Sequence, residues 1–420
     1  MMAVVSRRIL IACWGSFGDV YPYVGLGKAL RNRGHHVRIA LPSFYRPSVE
    51  NEGLEWYPLP PEVDPGQREL IARVMDPARG PEVIVREWVM PAIREMYAAL
   101  DRAADGVDLI LSHPVTFAAP LVAEKRQLPW VSTILAPSSF MSANDFPVIA
   151  AAPRLVLLQR AFPFLGHVLR RLVRRGTESW MTPICELRRD LDLPAGGHPL
   201  LEGQFSPLMT LALFSRLLVT PQRDWPPNVQ VTGFVFYNGP EALGSHVQAF
   251  LDAGPPPVVF TLGSSAVGAA GSFYEESAAA AARLGVRAVL LRGPYEENEP
   301  RRTRSSEILV IDRAPHQLLF PRAAAVVHQG GAGTTGQALR AGKPTLVVPH
   351  SHDQPDNARR VTRLGVARTL FPRDYTADRV ARELDRLLKE PRYRAAGERA
   401  AAVVRQERGA EGAADVLEAI

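Results

Sequence analysis

At 420 residues, 46% hydrophobic and 22% charged, the chain has a soluble globular composition and too much length for one ordinary core, so two domains are expected. No apolar run reaches membrane-spanning length, since Leu208–Leu218 is broken by Ser215 and Arg216, and Ile9–Cys13 before Gly15 is too short for a signal-peptide core; a cytoplasmic location is expected. The net charge of +6 suits an anionic ligand or an acidic membrane surface, and the absence of a nucleic-acid motif excludes nucleic acid from the expected partners.

Ile9–Cys13 reads as a first strand, followed by the loop Trp14–Pro22 and a helix to about Arg33 that stops at Gly34. His36–Leu41 and Leu54–Leu59 read as strands, Pro81–Ala104 as a helix, Val107–Ser112 as a strand, then a helix to Arg126 and a strand Trp130–Ala136. Strands alternating with helices give an α/β fold with a doubly wound parallel sheet. Residues 154–175 set apolar side chains on one side and arginines on the other. An ordinary surface helix pair over a cleft is the favoured reading there; a basic amphipathic segment in peripheral contact with a membrane or lipid is the other. Leu211–Ser215 resumes a strand pattern, and Asn238-Gly-Pro240 punctuates the chain, so residues 1–237 form the first expected domain.

The second half, 238–400, repeats the alternation: strands at Pro257–Leu262, Val286–Leu291, Ile308–Ile311 and Ala323–Val327, with a helix Phe273–Leu284 that stops at Gly285. A further helix ends at Gly365, a strand follows near Ala367–Phe371, and C-terminal helices begin at Thr376. Residues 401–420 are expected to pack back on the first domain. Cys13 and Cys185 lack metal-ligand spacing and read as buried or inert thiols.

After Ala323–Val327 comes His328-Gln-Gly-Gly-Ala-Gly-Thr-Thr335, then a helix stopping at Gly342 before Pro344. The glycines permit a sharp turn and close backbone approach, Thr334 and Thr335 are placed to cap the helix, and free N–H groups at its N-terminus make an anion site. A diphosphate is the expected ligand; a ligand-free strand-to-helix turn is the alternative. In open α/β sheets ligands bind beyond the C-terminal ends of strands. Gly15–Pro22, Gly263–Ser265, Arg313–His316, His328–Thr335 and His350–Asn357 all lie at such ends.

Asp312-Arg-Ala-Pro-His-Gln-Leu-Leu-Phe-Pro321, His328–Thr335 and Asp353-Gln354 resemble the donor signature of inverting GT-B nucleotide-sugar glycosyltransferases. Gly15–Pro22 with Arg33-Gly-His-His-Val37 is similar to the opening of their acceptor domain. Within that superfamily of UDP-glycosyltransferases the chain looks most like bacterial sterol-glycosyltransferase-like and rhamnolipid-rhamnosyltransferase-like enzymes. The resemblance implies two facing Rossmann-like domains with a cleft, no cofactor, and a UDP- or dTDP-sugar as co-substrate. It implies transfer of a glucose- or rhamnose-type hexose, with inversion, to a hydroxyl of an apolar small molecule or lipid.

Residue by residue, the resemblance implies that His328, Gly330, Gly331, Gly333, Thr334 and Thr335 hold the diphosphate, with Ser264 and Ser265 adding donors from the facing loop. Asp353 and Gln354 would bond the sugar hydroxyls. Arg313 stands where plant relatives stack Trp on the base, His316 follows in the same signature, and the slot of their ribose-binding Glu falls on Gly336. Ser16, Phe17 and Gly18 belong to the acceptor loop. Asp19 occupies the position of the relatives' catalytic His and is assigned as base, with helix capping as its structural role and His113 in reserve. No metal ligand set is expected. A nucleotide-sugar epimerase of the same fold and a silent activator of a partner transferase are the other readings.

Overall fold

The computed structural model describes residues 5–420 except 65, 240 and 304, so Pro240 of the punctuating stretch lies outside the described residues. Seven strands, β1 (Arg8–Ala12), β2 (His36–Leu41), β3 (Glu55–Pro58), β4 (Leu109–Ser112), β5 (Trp130–Ile134), β6 (Thr210–Ala212) and β7 (Val229–Val231), form one sheet. Six more, β8 (Val258–Thr261), β9 (Ala288–Leu291), β10 (Ile308–Ile311), β11 (Ala325–His328), β12 (Thr345–Val347) and β13 (Ala367–Thr369), form a second. The orders are β3-β2-β1-β4-β5-β6-β7 and β10-β9-β8-β11-β12-β13, and every pairing within them is parallel. β4, β8, β9 and β11 are buried along their whole length, as apolar strands covered by helices on both faces must be. One face of the first sheet meets Ile93, Met96 and Leu121; the other meets Val20, Leu26 and, from the far end of the chain, Leu417.

That last contact comes from the helix Gly409–Glu418, which packs on the helix Phe17–Asn32. Arg33 fastens it through Glu411, Asp415 and Glu418. The expected boundary at 401 falls inside the helix Pro391–Gln406, so the returning segment begins later than the sequence suggests. A second crossing comes from the first domain: Ile71 and Met75, on and just after the helix Arg68–Val74, pack into the core of the second sheet.

Other expectations shift in detail. Pro81–Ala104 is not one α-helix: Val83–Val89 is wound as a π-helix and Met90–Ala92 as a 3-10 turn before the α-helix Ile93–Ala103, because Pro91 has no N–H to donate. Residues 154–175 form two helices, Leu155–Ala161 and Leu165–Thr177, separated by Phe162-Pro163-Phe164. The helix after the glycine turn runs Ala332–Ala341 with Gly331 as its N-cap, so Thr334 and Thr335 lie inside its first turns and do not cap it. Gly342 ends it in the left-handed conformation at φ 73°. Cys13 is buried, whereas Cys185 is exposed. Among the described residues no helix is long and apolar enough to cross a membrane.

Candidate active site

Each sheet reverses its winding once, between β1 and β4 in the first and between β8 and β11 in the second. At such switch points the flanking loops part and leave a crevice. Trp14–Gly18 follows β1, His113 follows β4, Gly263 follows β8, and His328 closes β11, so the two crevices collect most of the candidate residues. The helices Phe17–Asn32 and Ala332–Ala341 are in contact through their starts: a Cβ at Gly333 would lie 4.0 Å from the Gly18 carbonyl oxygen. Two helix N-termini, each carrying about half a positive charge, therefore converge on the cleft.

On the second domain's side, His328 is fully buried. Its Nδ1 accepts from the Gly330 N–H at 2.9 Å, which leaves the ring proton on Nε2. Burial, with His316 beside it, pushes this imidazole down to about 3, so it is a neutral donor at physiological pH. Nε2 is buried and has no partner among the described residues. Gly330 sits at φ +91°, and a Cβ there would lie 2.8 Å from Val347 Cγ1 and 3.0 Å from the Gln354 carbonyl oxygen, so only glycine fits. His316 stacks on Phe320 at 4.4 Å between centroids and is itself held near 4 by burial.

Across the cleft, Ser16 is the N-cap of the first helix and Asp19 its third residue. Asp19 Oδ2 accepts from the Ser16 N–H at 2.8 Å and from the Ser16 hydroxyl at 3.0 Å, a capping box. The helix begins at Phe17, inside the stretch Trp14–Pro22 expected to be a loop, and the capping role of Asp19 is real. Its Oδ1 remains, 3.8 Å from His113 Nε2. His113 is buried, its Nδ1 is unpartnered among the described residues, and burial holds its imidazole below the usual range against the pull of Asp19. Phe17 packs against Tyr21, Phe44 and Tyr45 and so walls one side; Gly18 is exposed.

Asp353 faces the same space. Burial, with the charge of Asp19 opposite, pushes its carboxyl up to about 7, while Asn357 Nδ2 donates to Oδ2 at 2.7 Å. Gln354 has spent its carbonyl oxygen on the backbone N–H groups of His350 at 2.9 Å and Ser351 at 3.3 Å, which leaves its amide N–H groups to donate. Ser264 and Ser265 occupy the short turn Gly263–Ala266, which touches the first helix.

Arg313 lies at the rim, 78% exposed in its side chain and paired with Glu241 at 3.0 Å beside an opening of about 370 Å³ lined also by His246 and Pro315. Gly336 is filled over by Phe234, whose ring a Cβ would meet at 2.9 Å, so no longer side chain fits this slot. In the first domain a cavity of about 320 Å³ opens beside His113, lined by Phe117, Leu121, Ile184, Cys185 and Leu193.

Three residues were missed from the sequence. His352 adopts φ 57°, has a buried Nε2 without a described partner and feels the Asp19 charge; Gln329 holds an orphaned Oε1; Asn357 braces both Asp353 and the Gly330 carbonyl. Their positions beside Asp353 and His328 were the only available signal. Buried polar atoms are almost always paired, so orphaned atoms on His113, His328, Gln329, Thr335 and His352 around one cleft mark a place prepared for a polar ligand.

Two facing doubly wound domains with their switch points turned to a common cleft make the GT-B architecture of glycosyltransferases. Residues 9–138 match the glycosyltransferase family 28 N-terminal domain, and residues 289–418 match the erythromycin biosynthesis protein CIII-like C-terminal domain. The chain is 33% identical to O-mycaminosyltylonolide 6-deoxyallosyltransferase of Streptomyces fradiae, over 98% of this chain and 97% of that one. It is 28% identical to a sterol 3-beta-glucosyltransferase of Yarrowia lipolytica over 97% of its own length but only 28% of the relative's. The fold is shared with the spinosyn forosaminyltransferase SpnP at a TM-score of 0.73 and 20% identity, covering 99% of each chain. It is also shared with the glycosyltransferase VinC, solved in complex with dTDP, at 0.68 and 23%, covering 98% of each. The chain belongs to the GT-B glycosyltransferases, in the family that holds macrolide and sterol glycosyltransferases.

Proposed function

We propose that this glycosyltransferase moves a 6-deoxyhexose or related hexose from a dTDP- or UDP-sugar to a hydroxyl of an apolar, polyketide-like or sterol-like acceptor, with inversion. The observation that carries this reading is that one cleft holds an orphaned, neutral His328 Nε2–H at a helix N-terminus on one side and Asp19, with its Oδ1 outside the capping box, on the other. The relative from Streptomyces fradiae, a deoxyallosyltransferase, and the dTDP complex of VinC support a deoxysugar donor on dTDP.

In this mechanism the acceptor lies in the cavity beside His113 and presents its hydroxyl to Asp19 Oδ1. As the acceptor oxygen bonds to the anomeric carbon from one face, the carbon–oxygen bond to the diphosphate breaks on the other, and the hydroxyl proton passes to Asp19. The departing diphosphate takes the electron pair. Its charge is met by the first N–H groups of the helix Ala332–Ala341 and by His328 Nε2–H, donors that need no reorganisation. Asp353, its carboxyl raised to about 7, and the Gln354 amide, which has N–H groups to donate, would hydrogen-bond the sugar's hydroxyls. Arg313 stands beside the rim opening, where a nucleobase would stack on its guanidinium.

Incubation with dTDP- and UDP-sugars and a panel of macrolide and sterol acceptors, read by mass spectrometry, tests the reading. Acceptor-dependent release of nucleoside diphosphate, with a glycoside of the opposite anomeric configuration and persistence in chelator, is expected. Isomerisation of the donor without acceptor would instead indicate an epimerase, and inertness with every pair would favour a silent partner subunit.

A further inference from the structure

The helices Leu155–Ala161 and Leu165–Thr177 and the turn between them carry five of the large apolar side chains most open to solvent: Leu158, Phe162, Phe164, Val168 and Leu172. Phe164, Val168 and Leu172 recur every fourth residue, so they share one face, and Phe162 packs edge-on to Phe164 at 6.2 Å. Arg171 and Arg175, four apart, are exposed on the same side and have no ion-pair partner among the described residues. The opposite side is tied down. Gly166 abuts the Ala143 carbonyl, and Gln159 Nε2 donates to that same carbonyl at 3.0 Å. Arg174 pairs with Glu202 at 2.6 Å.

We propose that this helical hairpin docks on an anionic lipid bilayer, its aromatic and aliphatic side chains entering the interface and its arginines meeting lipid phosphates. The charge pattern selects this occupant. Residues 146–177 contain six arginines and no acidic residue, so a second copy laid symmetrically on the same face would set arginines against arginines. A bilayer carrying negative headgroups gains about fivefold in binding for each such cation. The place also suits the proposed reaction, on which this last point rests. Glu202, held by Arg174, belongs to the loop whose Leu193, Pro199 and Gln204 line the cavity beside His113, so a bilayer-dissolved acceptor would reach the cavity next to the docked hairpin.

Co-sedimentation with phosphatidylcholine vesicles, with and without about one-third phosphatidylglycerol, tests docking with no donor or acceptor present, so its outcome is independent of sugar transfer. Wild-type protein is expected to bind only the anionic vesicles and to be released by high salt. The pair Phe164→Ser with Leu172→Ser, and separately Arg171→Glu with Arg175→Glu, is each expected to weaken binding at least about tenfold. Thermal unfolding should stay unchanged, because the substituted side chains are exposed. Absence of wild-type binding, variants that bind as well as wild type, or a wild-type dimer in solution that these substitutions break would each overturn the proposal.

Discussion

Asp353 and His328 lie on one side of the cleft and respond to pH in opposite senses. The Asp353 carboxyl, raised to about 7 by burial and by Asp19, binds its proton more tightly folded than unfolded. Its stabilising contribution is therefore full below about pH 4 and is lost as pH rises through about 7. Replacing it with Asn, which keeps the shape and never ionises, should raise the melting temperature over wild type increasingly between about pH 4 and pH 7. A difference that stays flat across that range would show that the carboxyl is not held protonated. His328, held neutral near 3, works the other way: its contribution is present above about pH 6.5 and fades as pH falls toward 3. That His328 and Asp353 would lie at the cleft was legible from their glycine-rich and Asp-Gln neighbourhoods. His352 was not, since a left-handed histidine with a buried orphan nitrogen leaves no pattern in one sequence.

At the scale of elements, the helix Gln354–Arg363 sets the donor-side geometry, and a loop of the other domain holds it. Asp145 bonds Arg360 at 2.8 Å and Arg359 at 3.0 Å, and Asp356 bonds Arg360 at 2.6 Å with essentially no exposure. The Val148 N–H adds a bond to Asp356 at 3.2 Å. Asp145→Ala leaves the buried Arg360 with one carboxylate and should cost on the order of 3 kcal/mol in urea unfolding, together with weaker donor binding. No loss in either measurement would mean that Asp356 suffices. Gly330→Ala should cost about 2 kcal/mol or more and reduce donor affinity, through both φ and the clash with Val347. Strand and helix identities were readable where periodicity and stop glycines agreed, as in Phe273–Leu284, whose bounds the structure reproduces. They blurred where the chain carries prolines, as at Val83–Ala92, because a missing donor changes the winding without changing the apolar spacing. The Asp145 clasp, made between residues far apart in sequence, left no local trace.

For the whole molecule, the alternation of strands and helices foretold two doubly wound sheets, and the sheet orders explain why the cleft loops meet. What sequence reading did not show is the crossing in the other direction, from the first domain into the second core. Ile71 and Met75 reach into the second core, and Leu417 returns to the first, so each domain closes with a piece of the other. Such exchange packs the two domains against each other, and in the proposed mechanism a base on one side of the cleft serves a leaving group on the other. The most direct measurement of that division of labour is Asp19→Asn, assayed for turnover with a dTDP-sugar and acceptor and, in parallel, for donor affinity by calorimetry. The account predicts turnover reduced by about a hundredfold or more with donor affinity unchanged; undiminished turnover with intact donor binding would contradict it.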